Sequence, residues 1–169
     1  RKNIAQLIFS GLPAGGGTVF IDNVFFFNGT VAIPGPTTAA PTPTRNASDV
    51  ISMFSNAYTN VPVDTWRTDW SAATYADTLI QGNNTKFYSN LDYVGVETVT
   101  KQIDITGMNH FHVDMWTPNM TTFRVKLVDF GADGAFAGGD DTEHEVVITN
   151  PALNQWNGLD IPLSTFVNL

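Results

Sequence analysis

The sequence predicts an all-β sandwich, and three observations lead there. Strand and turn formers dominate: Thr, Asn, Gly, Val and Phe are abundant, while Lys, Arg and Glu are few. Short runs rich in β-branched and aromatic residues recur at close spacing, with turn signals between them. No long helical period interrupts them. At 169 residues the chain suffices for one full hydrophobic core.

The opening segment, residues 4–27, reads as a hairpin, with strands at 4–9 and 18–27 joined by the turn Gly15-Gly16-Gly17. A hairpin alone is marginal in water. Residues 31–45 then form a Pro/Thr-rich linker, which at about 3.1 Å per residue spans roughly 45 Å. That is enough to cross a domain of ~35–40 Å. The main body, residues 46–169, begins with Ser48 capping a short helical turn over 49–58. Strands are expected at 75–80, 85–93, 101–105, 110–116, 122–130, 143–148 and 155–162. The hairpin of residues 1–28 has no domain of its own. It is expected to complete a sandwich either in cis, in a permuted order, or in a neighbouring copy by strand exchange.

Composition narrows the function. Eight basic residues against sixteen acidic ones give a net charge of −8. Nucleic acid and anionic membrane surfaces need clustered Lys and Arg, so neither is an expected partner. With no cysteine, a disulfide framework, a thiolate metal site and a thiol nucleophile are all excluded. No apolar run approaches a membrane span, and no leader-like segment is visible. The expectation is a secreted or cell-surface protein, seen as a fragment of something longer.

Three stretches carry a family resemblance: residues 126–145 (KLVDFGADGAFAGGDDTEHE), residues 156–164 (WNGLDIPLS), and residues 4–11 (IAQLIFSG) with 19–26 (VFIDNVFF). Together they resemble the jelly-roll modules appended to marine bacterial β-glucanases, agarases and related secreted proteins of the Bacteroidetes type. In those modules the last pair of stretches follows the DIPLS strand, whereas here it comes first. The resemblance implies a galactose-binding-like jelly-roll β-sandwich with structural calcium and a carbohydrate-binding role. It also implies that Asp22 binds calcium, with partners around Asp49, Ser52 and Asn56.

The residues themselves offer a second cation site. Asp129, Asp133, Asp140, Asp141 and Glu143 fall close together among Gly131, Gly134, Gly138 and Gly139. Calcium takes six to eight oxygens on a loop that can wrap, and glycines allow the wrapping. The later spacing is not that of an EF-hand, and a solvated acidic loop fits the same residues.

Ligand-binding candidates lie on one strand and one loop. In residues 110–116, alternation puts Phe111, Val113 and Met115 on the core face, and His110, His112, Asp114 and Trp116 on the other. The next strand is expected to pair with it, adding Arg124 and Lys126 to the outer face. Aromatic faces stack on sugar rings and charged groups bind hydroxyls; a solvated or covered sheet face is the alternative. In the loop at 64–70, Trp66 and Trp70 are divided between a buried lid and an exposed stacking ring. Trp70 is assigned the exposed place, with Asp69 as an acceptor beside it. Trp156 is read as structural.

Catalysis is not expected. No motif sets two carboxylates on one strand as a glycosidase site would, and no nucleophile elbow accompanies the three histidines. Two functions remain: a non-catalytic carbohydrate-binding module for a β-glucan or other marine polysaccharide, and a structural repeat of an adhesin or fibre assembled by strand exchange with copies of itself.

Overall fold

The computed structural model describes residues 34–169, together with Gln6, Thr18, Phe20, Ile21, Asp22, Val24 and Phe26. Apart from these, the opening hairpin expected over residues 4–27 and the first residues of the linker lie outside the described residues. The chain divides into two units, Arg1–Ala32 and Ile33–Leu169.

The second unit is an all-β domain of short antiparallel sheets. Its strands are β1 (Ala72–Ile80), β2 (Asn83–Tyr93), β3 (His110–Trp116), β4 (Thr122–Asp129), β5 (Thr142–Thr149) and β6 (Trp156–Pro162). Among the described residues they form three two-stranded sheets, β1–β2, β3–β6 and β4–β5. Brief 3-10 turns occur at Ala47–Asp49, Val99–Lys101 and Leu163–Thr165. No helix of the described residues is long and apolar enough to cross a membrane.

Local chemistry explains the pairing of β1 with β2. Gln81 and Gly82 are the two turn residues, with φ of 51° and 81°. Two successive positive φ angles make the tight hairpin turn whose twist matches that of the strands. Cross-strand pairs then follow in register, including Tyr75 opposite Tyr88 and Asp77 opposite Lys86.

Alternation sets the inner faces. On β3, Phe111 and Val113 are half-buried and Met115 is buried, while His110 and His112 are exposed. On β4, Phe123, Val125 and Leu127 are more buried than Arg124 and Lys126. Met115, Ile161 and Phe166 are the apolar residues buried most deeply among those described. Phe166 meets the His144 ring edge-on at 6.4 Å, linking the segment after β6 to β5.

Three expectations are corrected. The helical turn expected over 49–58 is only the 3-10 turn ending at Asp49, and residues 50–58 are not helical. Ser48 Oγ bonds the Asp49 side chain instead of capping, and Asn60 Oδ1 accepts from Ser52 Oγ and the Ser55 N–H. Side-chain bonds of this kind compete with the helical ladder. Residues 101–105 are not a strand: Val99–Lys101 is a 3-10 turn, and Asp104 folds back onto the Thr106 hydroxyl and N–H. Finally, β3 pairs with β6 and β4 with β5, instead of β3 with β4. The connecting Thr117 is 3% exposed, and its Oγ1 accepts the N–H groups of Asn119 and Met120. This turn redirects the chain away from a β3–β4 hairpin.

Candidate functional site

Trp70 and Tyr93 form an exposed aromatic platform. Their rings lie 6.3 Å apart between centroids at an interplanar angle of 22°. Trp70 is 59% exposed and Tyr93 52%. The indole rests against Gly95, where any Cβ would overlap it. A buried hydroxyl pair, Thr68 Oγ1 and Ser71 Oγ at 2.8 Å, stands behind the turn. Ser71 Oγ accepts the Gly95 N–H at 3.0 Å, and Gly95 O accepts the Thr68 N–H at 3.2 Å. The turn behind the platform is therefore held by one backbone–backbone bond and one bond to a side-chain hydroxyl. Asp69 and Asp92, each next in sequence to one of the rings, are exposed.

Trp66 belongs to a different cluster. Its ring meets Phe54 edge-on at 5.5 Å, and Lys86 Nζ stands 4.8 Å above it. The same ammonium lies 4.5 Å from the Phe54 centroid and 5.6 Å from that of Tyr75. It donates to Asp77 at 2.8 Å and to the Tyr75 hydroxyl at 3.0 Å. Burial among the rings works against the lysine charge, but the bonds to Asp77 and Tyr75 outweigh it and raise the Lys86 pKa. The Lys86 hydrogen bond, then that of Tyr75, holds Asp77 below the ordinary carboxylate value. Burial, aided by the charges nearby, pushes the Tyr88 phenol up to about 12.

The outer face of β3–β6 gathers more of the candidates. The ladder sets His112 opposite Asp160, Asp114 opposite Gly158 and Trp116 opposite Trp156. His112 lies between two carboxylates, with Nδ1 2.8 Å from Asp160 and Nε2 3.4 Å from Asp114. Arg45 reaches the other Asp160 oxygen at 3.4 Å. The His112 hydrogen bond, helped by the Arg45 charge, keeps the Asp160 pKa low against the effect of burial. At the end of this face the two indoles, with Asn154 and Gln155, line a cleft of about 310 Å³, and Pro34, Gly35, Thr37 and Thr38 of the linker supply the rest of its wall. The Trp156 indole N–H donates to the Thr38 carbonyl at 2.8 Å.

Arg124 is not part of that face. It lies on β4 and pairs with Glu145 of β5 at 2.6 Å. Its neighbour Lys126 pairs with Glu143 at the same distance, which engages Glu143 outside the acidic loop.

The acidic loop is folded onto itself. Asp129 accepts the Gly131 N–H, Asp133 that of Ala135, Asp140 that of Ala132 and Asp141 that of Ala137. One further oxygen, Asp141 Oδ1, is buried without a hydrogen bond. Among the described residues no three His, Asp or Glu side chains converge as metal ligands would. Each of these four aspartates thus spends one carboxylate oxygen on a backbone amide of the loop. Asp49 accepts from Asn46 and Ser48. Asp22 lies in the first unit.

No family model, curated protein or solved structure matches the chain.

Proposed function

We propose that this chain is a non-catalytic, extracellular carbohydrate-binding module in which Trp70 and Tyr93 stack on a polysaccharide of the β-glucan type. The exposed, near-parallel ring pair carries the reading. Large aromatic side chains left in water and fixed from behind are ready for a ligand with an apolar face. Fixing them beforehand lowers the entropy cost of binding. The exposed Asp69 and Asp92 supply acceptors for sugar hydroxyls beside the rings, and the net charge of −8 favours a neutral polymer over an anionic one. Affinity electrophoresis through gels containing soluble β-glucans and galactans tests the proposal. Retarded migration that Trp70→Ala abolishes is expected, while unretarded migration across the panel would remove the reading.

A second reading, a structural repeat joined by strand exchange in a jelly-roll sandwich, has its own supporting observation. The second unit leaves Leu79 64%, Phe87 48%, Val128 45% and Val147 45% exposed, while few of its described apolar residues are deeply buried. Phe20 and Phe26 of the first unit are exposed too. Each described sheet has two strands, so each strand keeps an edge without a ladder partner among the described residues. Light scattering at two concentrations distinguishes the readings. A mass that grows with concentration supports strand exchange, and a constant monomer mass removes it.

A further inference from the structure

The peptide group joining Thr38 to Ala39 is gripped at both ends. Its carbonyl accepts the Trp156 indole N–H at 2.8 Å, and its N–H donates to Gln81 Oε1 at 3.4 Å. Trp156 begins β6 and Gln81 sits in the β1–β2 turn, so two separate parts of the domain converge on one unit of linker backbone.

The surrounding segment turns Pro34, Gly35, Thr37 and Thr38 to the cleft. Pro36, Ala39, Ala40 and Pro43 are half-buried, whereas Pro34, Gly35, Thr37, Thr38, Pro41 and Thr42 are exposed. The steps from 36 to 39 and from 40 to 43 match the three-residue turn of an extended proline helix. Trp116 and Trp156, opposite each other on β3 and β6, line the same cleft as Pro34, Gly35, Thr37 and Thr38. Such surfaces suit proline-rich chains for three reasons. Flat indoles pack against stiff rings, an indole N–H finds a peptide carbonyl, and a pre-extended chain loses little entropy on docking. The composition of the linker agrees. Ala39 and Ala40 interrupt the Pro/Thr run at the place where the backbone is gripped, and a proline at 39 would have no N–H to give.

We propose that the Trp116–Trp156 groove is a recognition site for extended Pro/Thr-rich peptide, with residues 34–43 of this chain as its resident ligand. The linker is thereby a docked strap instead of a free spacer. This inference does not depend on sugar binding at Trp70.

The test uses the full chain and a second full chain whose residues 34–43 are replaced by Gly and Ser at equal length. In the native chain the Trp156 indole N–H, followed by nuclear magnetic resonance, is expected to exchange with solvent at least tenfold more slowly than in the Gly/Ser chain. Ala39→Pro in the native chain, a single change in the strap, is expected to cause the same loss of protection. A synthetic peptide of residues 34–43, added at millimolar concentration, should shift the Trp116 and Trp156 indole signals saturably in the Gly/Ser chain and leave the native chain unchanged. Equal exchange in the native and Ala39→Pro chains overturns the proposal, as does a Gly/Ser chain with native circular dichroism that shows no saturable shift. If a β-glucan oligosaccharide shifts these two indoles and the peptide does not, the groove is a sugar site and the proposal fails.

Discussion

Asp160 stands directly opposite His112 across the β3–β6 ladder, its Oδ1 2.8 Å from His112 Nδ1. Four charged or titratable groups meet at this point, since Asp114 and Arg45 complete the cluster. The ribbon therefore has a polar half at His112 and an aromatic half at Trp116, both on one face.

The first prediction concerns acid. The His112 bond, with Arg45 behind it, depresses the Asp160 pKa in the folded state. A depressed carboxylate gives stability that is present above its unfolded pKa, about 3.9, and is lost as pH falls through the folded value. Asp64, held down first by the Thr100 hydroxyl, Asp77, held down first by Lys86, and Asp104, held down first by the Thr106 hydroxyl, act in the same direction. Asp160→Asn should lower the urea midpoint at pH 7, and the gap to wild type should close below pH ~4. A gap independent of pH would separate Asp160 from the acid limb.

The opposite limb belongs to the Lys86 cluster. The Tyr88 phenol is pushed up to about 12 by burial, and the Lys86 pKa is also raised. For both groups the stabilisation is full below the unfolded pKa, about 10, and is lost as pH rises through the folded value. Ultraviolet titration should show a late phenol transition that Tyr88→Phe removes. Lys86→Met keeps the volume but removes the bonds to Asp77 and Tyr75. It should cost about 1–3 kcal/mol in urea unfolding at pH 7.

At Gly95 the prediction is steric. A methyl group there overlaps the Trp70 indole, so Gly95→Ala must displace the ring or the turn behind it. Overpacking of this kind costs about 1–3 kcal/mol. Glycan retardation should fall with it, while Val99→Ala, at an exposed residue outside the platform, should leave retardation unchanged.

Calcium supplies the fourth prediction. The loop carboxylates already hold backbone amides. Chelator should therefore leave the melting temperature within about 1 °C, a shift worth only a few tenths of a kcal/mol in a domain of this size. A rise of several degrees in millimolar calcium would show that the loop rearranges around the ion.

These sites differ in how far the sequence foretold them. Alternation assigned His112, Asp114 and Trp116 to one face, because period two follows directly from the backbone. It could not say which strand lies alongside. The buried hydroxyl of Thr117 set that instead, by drawing Asn119 and Met120 into a turn. With β6 as the neighbour in place of β4, Trp156 joined Trp116 and Arg124 moved to another sheet. Trp66 illustrates the same limit. Nothing near it in sequence announces Lys86, which arrives through the cross-strand register with Asp77. How the three two-stranded sheets are ordered depends on contacts between sheets, which alternation along single strands does not encode.

The grip on Thr38–Ala39 has a mechanical consequence. Tension entering the second unit along the linker meets this single peptide group before it meets a β-ladder. Two hydrogen bonds and a pair of indoles yield at a lower load than the seven residue pairs joining β3 to β6. In single-molecule pulling, a small early event should precede domain unfolding, and Ala39→Pro should erase it. The strap would then act as a shock absorber, letting go under strain and re-docking when the load is released.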